Sequence, residues 1–302
     1  MGCMAYVTGG PFTREAAEES MERFCVIANR SKDKGLETTR YIRDYLEAHG
    51  KRCLVQLTET EGHYTDAENV PDDTDCILVL GGDGTLLQAA RDLVEKDIPL
   101  LGVNLGSLGY LAEIERSGLE AVLPRLLTEE FEVERRMMIE GLIIREGKTV
   151  DSAYALNDVI VTRSSNFQII HYHILVNGQF LNSYNADGII VSTPTGSTGY
   201  NLSAGGPIVE PDAKLLLLTP ICPHTLASRS IVLSEEDEIT IEIAAGKDGS
   251  RQQVEVNFDG SRRVILYTGD RILVRRSRME TKIMKISSVS FLETLHKKMS
   301  GS

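Results

Sequence analysis

A buried strand that runs into a glycine turn and then into a helix is the feature that most constrains the fold of this chain. The apolar run Cys76–Leu80 is followed by Gly81–Thr85, which reads Gly-Gly-Asp-Gly-Thr, and then by a helix-like stretch over residues 86–94. Glycine lets a backbone approach a ligand closely, and the first turn of a helix offers unpaired N–H groups and partial positive charge. We therefore predict a phosphate-binding turn whose contacts are Gly81, Gly82, Gly84 and Thr85.

The acidic residue in this turn, Asp83, needs a separate explanation. A carboxylate repels a phosphate group, so we expect Asp83 to do chemical work, either accepting a proton or holding a metal ion. The alternative is that Asp83 only caps the helix that follows. The turn matches neither the Walker A pattern nor the G-x-G-x-x-G dinucleotide fingerprint.

Strands and helices alternate in the first half of the chain, which is typical of a parallel sheet with crossover helices. We predict helices at about residues 34–48, 85–96 and 119–130, between strands at Phe24–Asn29, Cys53–Leu57, residues 76–80 and Pro99–Asn104. From about residue 138 the pattern changes to short alternating strands, among them Met138–Ile144, Glu238–Ile243, Gln253–Phe258 and a hairpin around Asn177–Gly178.

This pattern predicts two domains. Residues 23–137 and 276–302 would form an α/β domain with a parallel, Rossmann-like sheet, and residues 138–275 would form a β-rich, β-sandwich-like domain. The C-terminal tail, helical over residues 290–298, would return to the first domain. Residues 1–22 would form a polar, partly helical extension.

Composition and charge exclude several classes of protein. The chain has 302 residues and a formal net charge of −12, which argues against a nucleic-acid partner because such binding needs a basic face. No apolar run approaches the roughly 20 residues that span a bilayer, so we expect no membrane association. The five cysteines include no C-x-x-C pair, which favours free thiols in a reducing cytoplasm.

Two polar segments in the second half contain further candidate site residues. Residues 192–207 concentrate hydroxyls and glycines, which suit ribose and phosphate oxygens, and Tyr200 adds a flat face for a base. The alternative is a flexible linker, although Pro194 stiffens the segment. Asn157 and Asp158 are set between apolar residues, where an amide beside a carboxylate can bind an adenine edge and a ribose diol. A plain Asn-Asp turn is the alternative. Asp187-Gly188 is open to the same two interpretations, a ligand-binding site or a plain turn.

Taken in order, these motifs resemble the NAD kinase family. The resemblance rests on Gly81–Gly84, on Asn104–Leu111 (Asn-Leu-Gly-Ser-Leu-Gly-Tyr-Leu), on Asn157-Asp158, and on Asp187 through Pro207. It covers about residues 24 to 295. The long Thr/Gly/Ser segment is the most specific part, whereas diacylglycerol kinases, sphingosine kinases and phosphofructokinases share the G-G-D-G turn.

The resemblance implies phosphate transfer from ATP to the 2′-hydroxyl of the adenosine ribose of NAD, which gives NADP. It implies that Asp83 accepts the hydroxyl proton, that Gly84 contacts the dinucleotide, and that Asn157 and Asp158 bind adenine and ribose. It further implies that Asp187 lies near the nicotinamide and that the adenosine pocket is lined by Thr198, Gly199, Tyr200 and Ser203.

The chain also departs from the family pattern. Many members have Glu in place of Asp158, Ala in place of Gly199 and Phe in place of Tyr110. Some members have Arg in place of Asn185, which puts one substrate contact of Asn185 in question.

The remaining expectations concern the partners. The resemblance implies a Mg²⁺ ion, which Asp83 would help to hold, and a homodimer or homotetramer in which a neighbouring subunit completes the site. We expect Asp83→Asn to leave the fold intact and to remove most of the turnover. Two rival functions stay open: a lipid or sugar kinase that uses the same glycine turn, and a non-catalytic sensor of nicotinamide nucleotides.

Overall fold

The computed structural model describes residues 20–58, 65–106, 109–112, 114–164, 169–224 and 229–300. Most of the predicted N-terminal extension and Ser107 and Leu108 of the Asn104–Leu111 motif lie outside these ranges. The helices that matter for the site are α1 (Glu37–Ala48), α2 (Asp83–Asp92), α3 (Leu119–Leu127), α4 (Tyr200–Ser203) and α5 (Phe291–Met299).

Strands dominate the rest of the chain. They are β1 (Arg23–Asn29), β2 (Arg52–Thr58), β3 (Cys76–Gly81), β4 (Leu100–Asn104), β5 (Ile114–Glu115), β6 (Glu132–Arg145), β7 (Lys148–Ala155), β8 (Asp158–Arg163), β9 (Ile170–Val176), β10 (Gln179–Ala186), β11 (Gly188–Ser192), β12 (Leu215–Ile221), β13 (Ile231–Ser234), β14 (Ile239–Ile243), β15 (Gln253–Phe258), β16 (Arg262–Tyr267) and β17 (Arg271–Lys285). The predicted elements are present, with ends that differ by a few residues.

A parallel sheet carries the glycine turn. Its strands lie in the order β4-β3-β1-β2, and β3 is buried along its whole length. Alternate side chains of β3 point to opposite faces: Leu78 and Leu80 pack with α1 and α3, whereas Ile77 and Val79 pack with α2. The chain is therefore wound on both faces, and the loop after β1 lies next to the turn after β3.

The β-rich half is a sandwich of two sheets. Strands β13-β12-β11-β8-β15-β16 form a six-stranded antiparallel sheet. One hydrophobic core joins it to strands of the first sheet, since Val161 and Val191 pack with Tyr172 and Ile241. These features confirm the predicted fold class, an α/β half followed by a β-sandwich-like half.

The first sheet is larger than the sequence pattern indicates. It has 11 strands, because β6 and β17 continue the parallel sheet into the sandwich. The first part of β17 pairs with β14, and its later residue Ile283 pairs with Leu100 of β4. A register shift between Arg276 and Glu280 separates the two parts. Strand β6 crosses the predicted domain boundary at residue 137, and β17 crosses the one at residue 275. The division into two domains at these residues stays a prediction.

The C-terminal tail returns to the α/β half, as the fold class required. Helix α5 begins with a capping box in which Ser290 and Glu293 bond each other's backbone N–H groups. Near its end, the Lys298 ammonium lies 5.3 Å from the centre of the Tyr110 ring. In the part of the chain that the structure describes, no helix is long and apolar enough to cross a membrane.

Candidate functional site

The glycine turn brings β3 directly into α2. Gly82 precedes the helix in an extended conformation, and its carbonyl accepts the N–H groups of Thr85 and Leu86 at 2.9 and 3.2 Å. A Cβ on Gly81 would lie 2.2 Å from the Thr85 hydroxyl, so Gly81 is required for packing within the turn itself. The first N–H groups of α2, those of Asp83 and Gly84, have no carbonyl within the helix to bond.

Gly84 differs from its two neighbours. A Cβ on Gly84 would meet nothing within 4 Å, and its φ does not lie in the left-handed region. Neither packing nor backbone geometry therefore requires glycine at this helical position. The open space beside Gly84 is room for a ligand to approach the start of α2.

The Asp83 carboxylate is held by a neighbouring loop. Its Oδ2 accepts the Tyr110 N–H at 2.7 Å, and its Oδ1 accepts the N–H groups of Leu111 and Ala112 at 3.2 and 3.1 Å. The capping alternative is wrong, because Gly82 occupies the cap position and no side chain caps the helix. Two carboxylate oxygens offer about four acceptor positions. Since Oδ1 already accepts two bonds and Oδ2 one, an acceptor position remains on Oδ2.

This arrangement explains a glycine in the Asn104–Leu111 motif. A Cβ on Gly109 would lie 1.8 Å from Oδ1 of Asp83, so no side chain fits there while the carboxylate is bound. The structure also changes our expectation for Asp83→Asn. An asparagine presents an amide N–H₂ to at least one of the three N–H donors, so the substitution disturbs the loop as well as the chemistry.

The Asn157-Asp158 turn is held by a residue that we did not single out from the sequence. The Asp259 carboxylate accepts the backbone N–H groups of Leu156, Asn157 and Asp158 at 2.8, 2.8 and 3.1 Å. Asp259 precedes Gly260 and has a φ of +48°. An Asp-Gly pair is a common turn signal, but the contact of Asp259 with residues about 100 positions earlier depends on strand pairing.

Two buried carboxyl groups therefore lie at this turn. Burial raises the pKa of Asp158 to about 8, and the neighbouring Asp259 adds to this effect. Burial also raises the pKa of Asp259 to about 6, although the three N–H donors and Arg91 of α2 oppose the shift. Because its three donors favour the charged form, Asp259 is the carboxyl that ionises first.

Asn157 has an unused hydrogen-bonding group. Its Oδ1 is buried and has no hydrogen-bond partner in the described structure. Its Nδ2 lies 3.3 Å from the position that a Cβ of Gly199 would occupy, and Oδ2 of Asp158 lies 3.8 Å from the same point. A buried orphan acceptor is uncommon and indicates a missing partner. The amide, the carboxyl and Gly199 thus come together.

The segment over residues 192–207 is ordered by its own hydroxyls. Thr193 donates to the Leu156 carbonyl at 2.6 Å, and Ser197 donates to the Val209 carbonyl at 3.1 Å. The buried Asn201 donates to the carbonyls of Ser197 and Pro207 and accepts a bond from Thr219. The linker alternative is therefore wrong. Several hydroxyls that suggested ligand contacts are instead bonded to the protein.

The residues of this segment that were predicted to line the pocket are all accessible. Tyr200 is 43% exposed and Ser203 is exposed, and both lie on the short helix α4. Thr198 and Gly199 immediately precede that helix and are partly exposed. Gly199 brings this segment beside the Asn157 amide and the buried Asp158 carboxyl, at the carboxyl end of β11.

Asn185 and Asp187 do not lie beside Asn157, Asp158 and Gly199. Asp187 precedes β11, whereas Ser192, which pairs with Asp158, ends it. Five residues of strand separate the two ends by about 17 Å at 3.4 Å per residue. Asp187 forms an ion pair with Arg163 at 3.3 Å, and the Asn185 carbonyl accepts the His224 N–H. Within one subunit, the structure does not bring Asn185 and Asp187 close to Asn157.

One hydrophobic cluster joins the two groups of site residues, those of the glycine turn and those around Asn157 and Asp158. Leu86 and Leu87 of α2 pack with Leu111, which follows the loop glycine, and with Leu156, which precedes Asn157. Arg91 of α2 also donates to the Ser261 hydroxyl. The glycine turn, its loop and the Asn157-Asp158 turn are therefore fixed relative to one another.

Comparisons with known proteins match both halves of the chain to one family. A family model described as the ATP-NAD kinase N-terminal domain matches residues 15–131, and one described as the ATP-NAD kinase C-terminal domain matches residues 156–286. The chain is 46% identical over 283 residues to a protein named NAD kinase from Lachnoclostridium phytofermentans, which covers 92% of this chain and 99% of that protein.

The chain belongs to the NAD kinase family. A second relative named NAD kinase, from Lachnospira eligens, is 44% identical over 293 residues, with 92% of this chain and 100% of that protein covered. Yeast NADH kinase, solved as a complex with NADH, shares the fold with a TM-score of 0.81 at 23% identity, over 94% of this chain and 89% of that one.

An archaeal member of the family has also been solved. The NAD kinase from Archaeoglobus fulgidus, in complex with ATP, aligns with a TM-score of 0.71 at 26% identity, over 92% of this chain and 98% of that one. The family resemblance stated from the motifs is confirmed.

Proposed function

We propose that this member of the NAD kinase family transfers the γ-phosphoryl group of ATP to the 2′-hydroxyl of the adenosine ribose of NAD, giving NADP and ADP. The observation that carries this assignment is the orphan Oδ1 of Asn157. An asparagine amide pairs with adenine through one acceptor and one donor, and Asn157 offers an unpaired Oδ1 together with an Nδ2 that lies beside Gly199. Family membership supports both substrates.

The ribose is proposed to lie between the two groups of site residues. Asp158 binds the ribose, Tyr200 covers the base, and Thr198, Gly199 and Ser203 line the pocket. Gly84 contacts the dinucleotide in the open space beside α2. This placement brings the 2′-hydroxyl toward Asp83, because the hydrophobic cluster that includes Leu111 and Leu156 fixes the two turns together.

Asp83 is the proposed proton acceptor. The 2′-oxygen forms a bond to the γ-phosphorus, the bond from that phosphorus to ADP breaks, and the hydroxyl proton passes to Oδ2 of Asp83. Oδ2 is suited to this step because it accepts one N–H bond whereas Oδ1 accepts two. A positioned base contributes about 10²–10⁴-fold. The phosphoryl group would lie at the turn formed by Gly81, Gly82, Gly84 and Thr85, where the N–H groups of Asp83 and Gly84 that have no carbonyl within α2 would stabilise its charge.

Mg²⁺ is proposed to enter with ATP. No cluster of three or more His, Cys, Asp or Glu side chains suited to a metal occurs among the residues that the structure describes. This fits an ion that typically takes one or two carboxylates and otherwise binds substrate phosphates and water. Asp83 is the carboxylate at the turn that would lie beside the ion, since its one remaining acceptor position takes the proton, and the ion would neutralise charge on the transferring group.

Asn185 and Asp187 are proposed to act in the site of a neighbouring subunit. Their distance from Asn157 along β11 supports this, because one subunit does not bring the two groups together. We accordingly propose a homodimer or homotetramer. A cytoplasmic location is also proposed, and the free thiols of Cys25, Cys53, Cys76 and Cys222 support it.

The test is a direct assay of the purified protein. ATP, Mg²⁺ and NAD should yield NADP, detected with an NADP-specific dehydrogenase, while NADH and polyphosphate are run as parallel substrates. Diacylglycerol with ATP tests the lipid-kinase rival, which the family matches do not favour. Binding of NAD without release of ADP would refute the assignment and support a nucleotide sensor.

A further inference from the structure

The loop after β1 places a lysine against the glycine turn. A Cβ built on Gly82 would lie 2.8 Å from the Lys32 Nζ, so the ammonium group occupies the space that a side chain at Gly82 would fill. The strand order reverses between β1 and β3, since β2 lies outside β1 on one side and β4 lies outside β3 on the other. Ligands of doubly wound sheets bind in the crevice at such a point. Lys32 and Gly82 face each other across this crevice.

The loop holds the backbone of Lys32 in place. Asn29 accepts the backbone N–H groups of Lys32 and Asp33 through its carbonyl, both at 3.0 Å. The buried Asp33 carboxylate accepts the N–H groups of Thr38 and Thr39 at the start of α1, at 3.1 and 2.8 Å. A charge carried on an ordered loop needs less rearrangement to meet a ligand than one on a flexible loop.

The Lys32 charge is not used within the described part of the protein. Its ammonium makes no ion pair or side-chain hydrogen bond there, and the carboxylates closest in sequence or across the crevice have other partners. Asp33 accepts bonds from α1, and Asp83 accepts three N–H bonds from the loop after β4. A cation beside a phosphate-binding turn therefore remains available to an anion.

We propose that Lys32 contacts the phosphoryl group that is transferred, both on ATP before transfer and as the 2′-phosphate of NADP afterwards. This rests on the proposed function, since it assigns a residue to the same site. A lysine ammonium is a compact point charge with three donors, suited to phosphate oxygens without a fixed geometry. Lys32 is in this way the cationic counterpart of the N–H groups of the glycine turn.

Binding measurements isolate the phosphate contact from catalysis. NADP and NAD differ by the 2′-phosphate alone, so their affinities are measured by calorimetry for the wild type, Lys32→Gln and Lys32→Arg. Loss of a hydrogen bond to a charged group predicts about tenfold weaker NADP binding in Lys32→Gln, with NAD binding changed less than twofold. Lys32→Arg should recover part of the loss.

Kinetics and a matched control complete the test. Lys34→Gln removes an exposed lysine two residues further along, whose side chain does not come within 4 Å of the Cβ position of Gly82 or Gly84, and it should leave all values unchanged. Lys32→Gln should lower kcat/KM for ATP at least about tenfold, with the KM for NAD unchanged and an unaltered melting temperature.

Equal weakening of NAD and NADP, or no weakening of either, would overturn the assignment of Lys32. Failure of the wild type to form NADP would instead overturn the proposed function.

Discussion

Gly84→Ala should raise the stability of the protein and lower its activity. Gly84 is the second residue of α2, and a Cβ there meets nothing within 4 Å. Its φ is compatible with any residue. Replacing a helical glycine by alanine stabilises a helix by about 0.5–1 kcal/mol. For a chain of this size the melting temperature should rise by about 1–3 °C.

The activity should change in the opposite direction. If the open space beside Gly84 admits the dinucleotide, the added methyl group displaces it from the start of α2. Misfit of one methyl-sized group costs about 1–3 kcal/mol, so kcat/KM for NAD should fall by about 10–100-fold. No packing argument produces this combination, because a substitution that damages the fold lowers stability and activity together.

The assay pairs thermal unfolding with steady-state NADP formation. Gly118→Ala is the control, since its Cβ would make only an ordinary 3.7 Å contact with Ile114 and it lies outside the proposed site. Its activity should stay within about twofold of the wild type. The reasoning is refuted if Gly84→Ala keeps near-normal kcat/KM, or if it loses stability.

Three further predictions follow from the site. Asp259→Ala leaves three N–H groups of the Asn157-Asp158 turn without an acceptor, so unfolding in urea should show a loss of about 2–4 kcal/mol, with KM for NAD raised more than kcat is lowered. The raised pKa of Asp158, about 8 against an ordinary 3.8, means that its contribution to stability is complete below about pH 4 and is lost as the pH rises through 8. Urea titrations at pH 6.5 and 8.5 should therefore show lower stability at pH 8.5, by up to about 1.4 kcal/mol per pH unit, and Asp158→Asn should flatten the difference. Mixing inactive Asp83→Ala and Asp187→Ala subunits should restore activity in about a quarter of the sites of a random dimer if Asp187 acts across the interface; no recovery after proven subunit exchange would place Asp187 in its own subunit's site.

Local patterns predicted the parts of the fold that depend on local residues. The buried run before Gly81 and the alternating strands around Asn177 were sufficient to identify β3 and the β9–β10 hairpin, because apolar periodicity reports burial directly. The lengths of β6 and β17 were not predictable in this way. Both strands are partly exposed and charged along their length, and their pairing across both halves joins residues far apart in sequence.

Prediction of the site from sequence was limited in the same way. Asp83 and Asn157 were identifiable as candidates for catalysis or ligand binding, since polar groups at strand ends are typical of ligand sites. Asp259 and Lys32 were not, because their importance arises from contacts with a distant turn and with a glycine that has no side chain. Even the hydroxyls of residues 192–207 were misjudged in part, since sequence does not distinguish a hydroxyl that orders a loop from one that binds a ligand.

The position of Asp83 also resolves the difficulty of an acid in a phosphate-binding turn. Three backbone N–H dipoles point at the carboxylate, and Gly109 provides the space for it to lie against them. These three donors partly neutralise the negative charge and lower its repulsion of an incoming phosphate, while the remaining acceptor position on Oδ2 stays available. Loss of activity in Asp83 variants therefore has two sources, a missing proton acceptor and a released loop. A base is identified only by a variant whose melting temperature is preserved while kcat falls and KM does not rise.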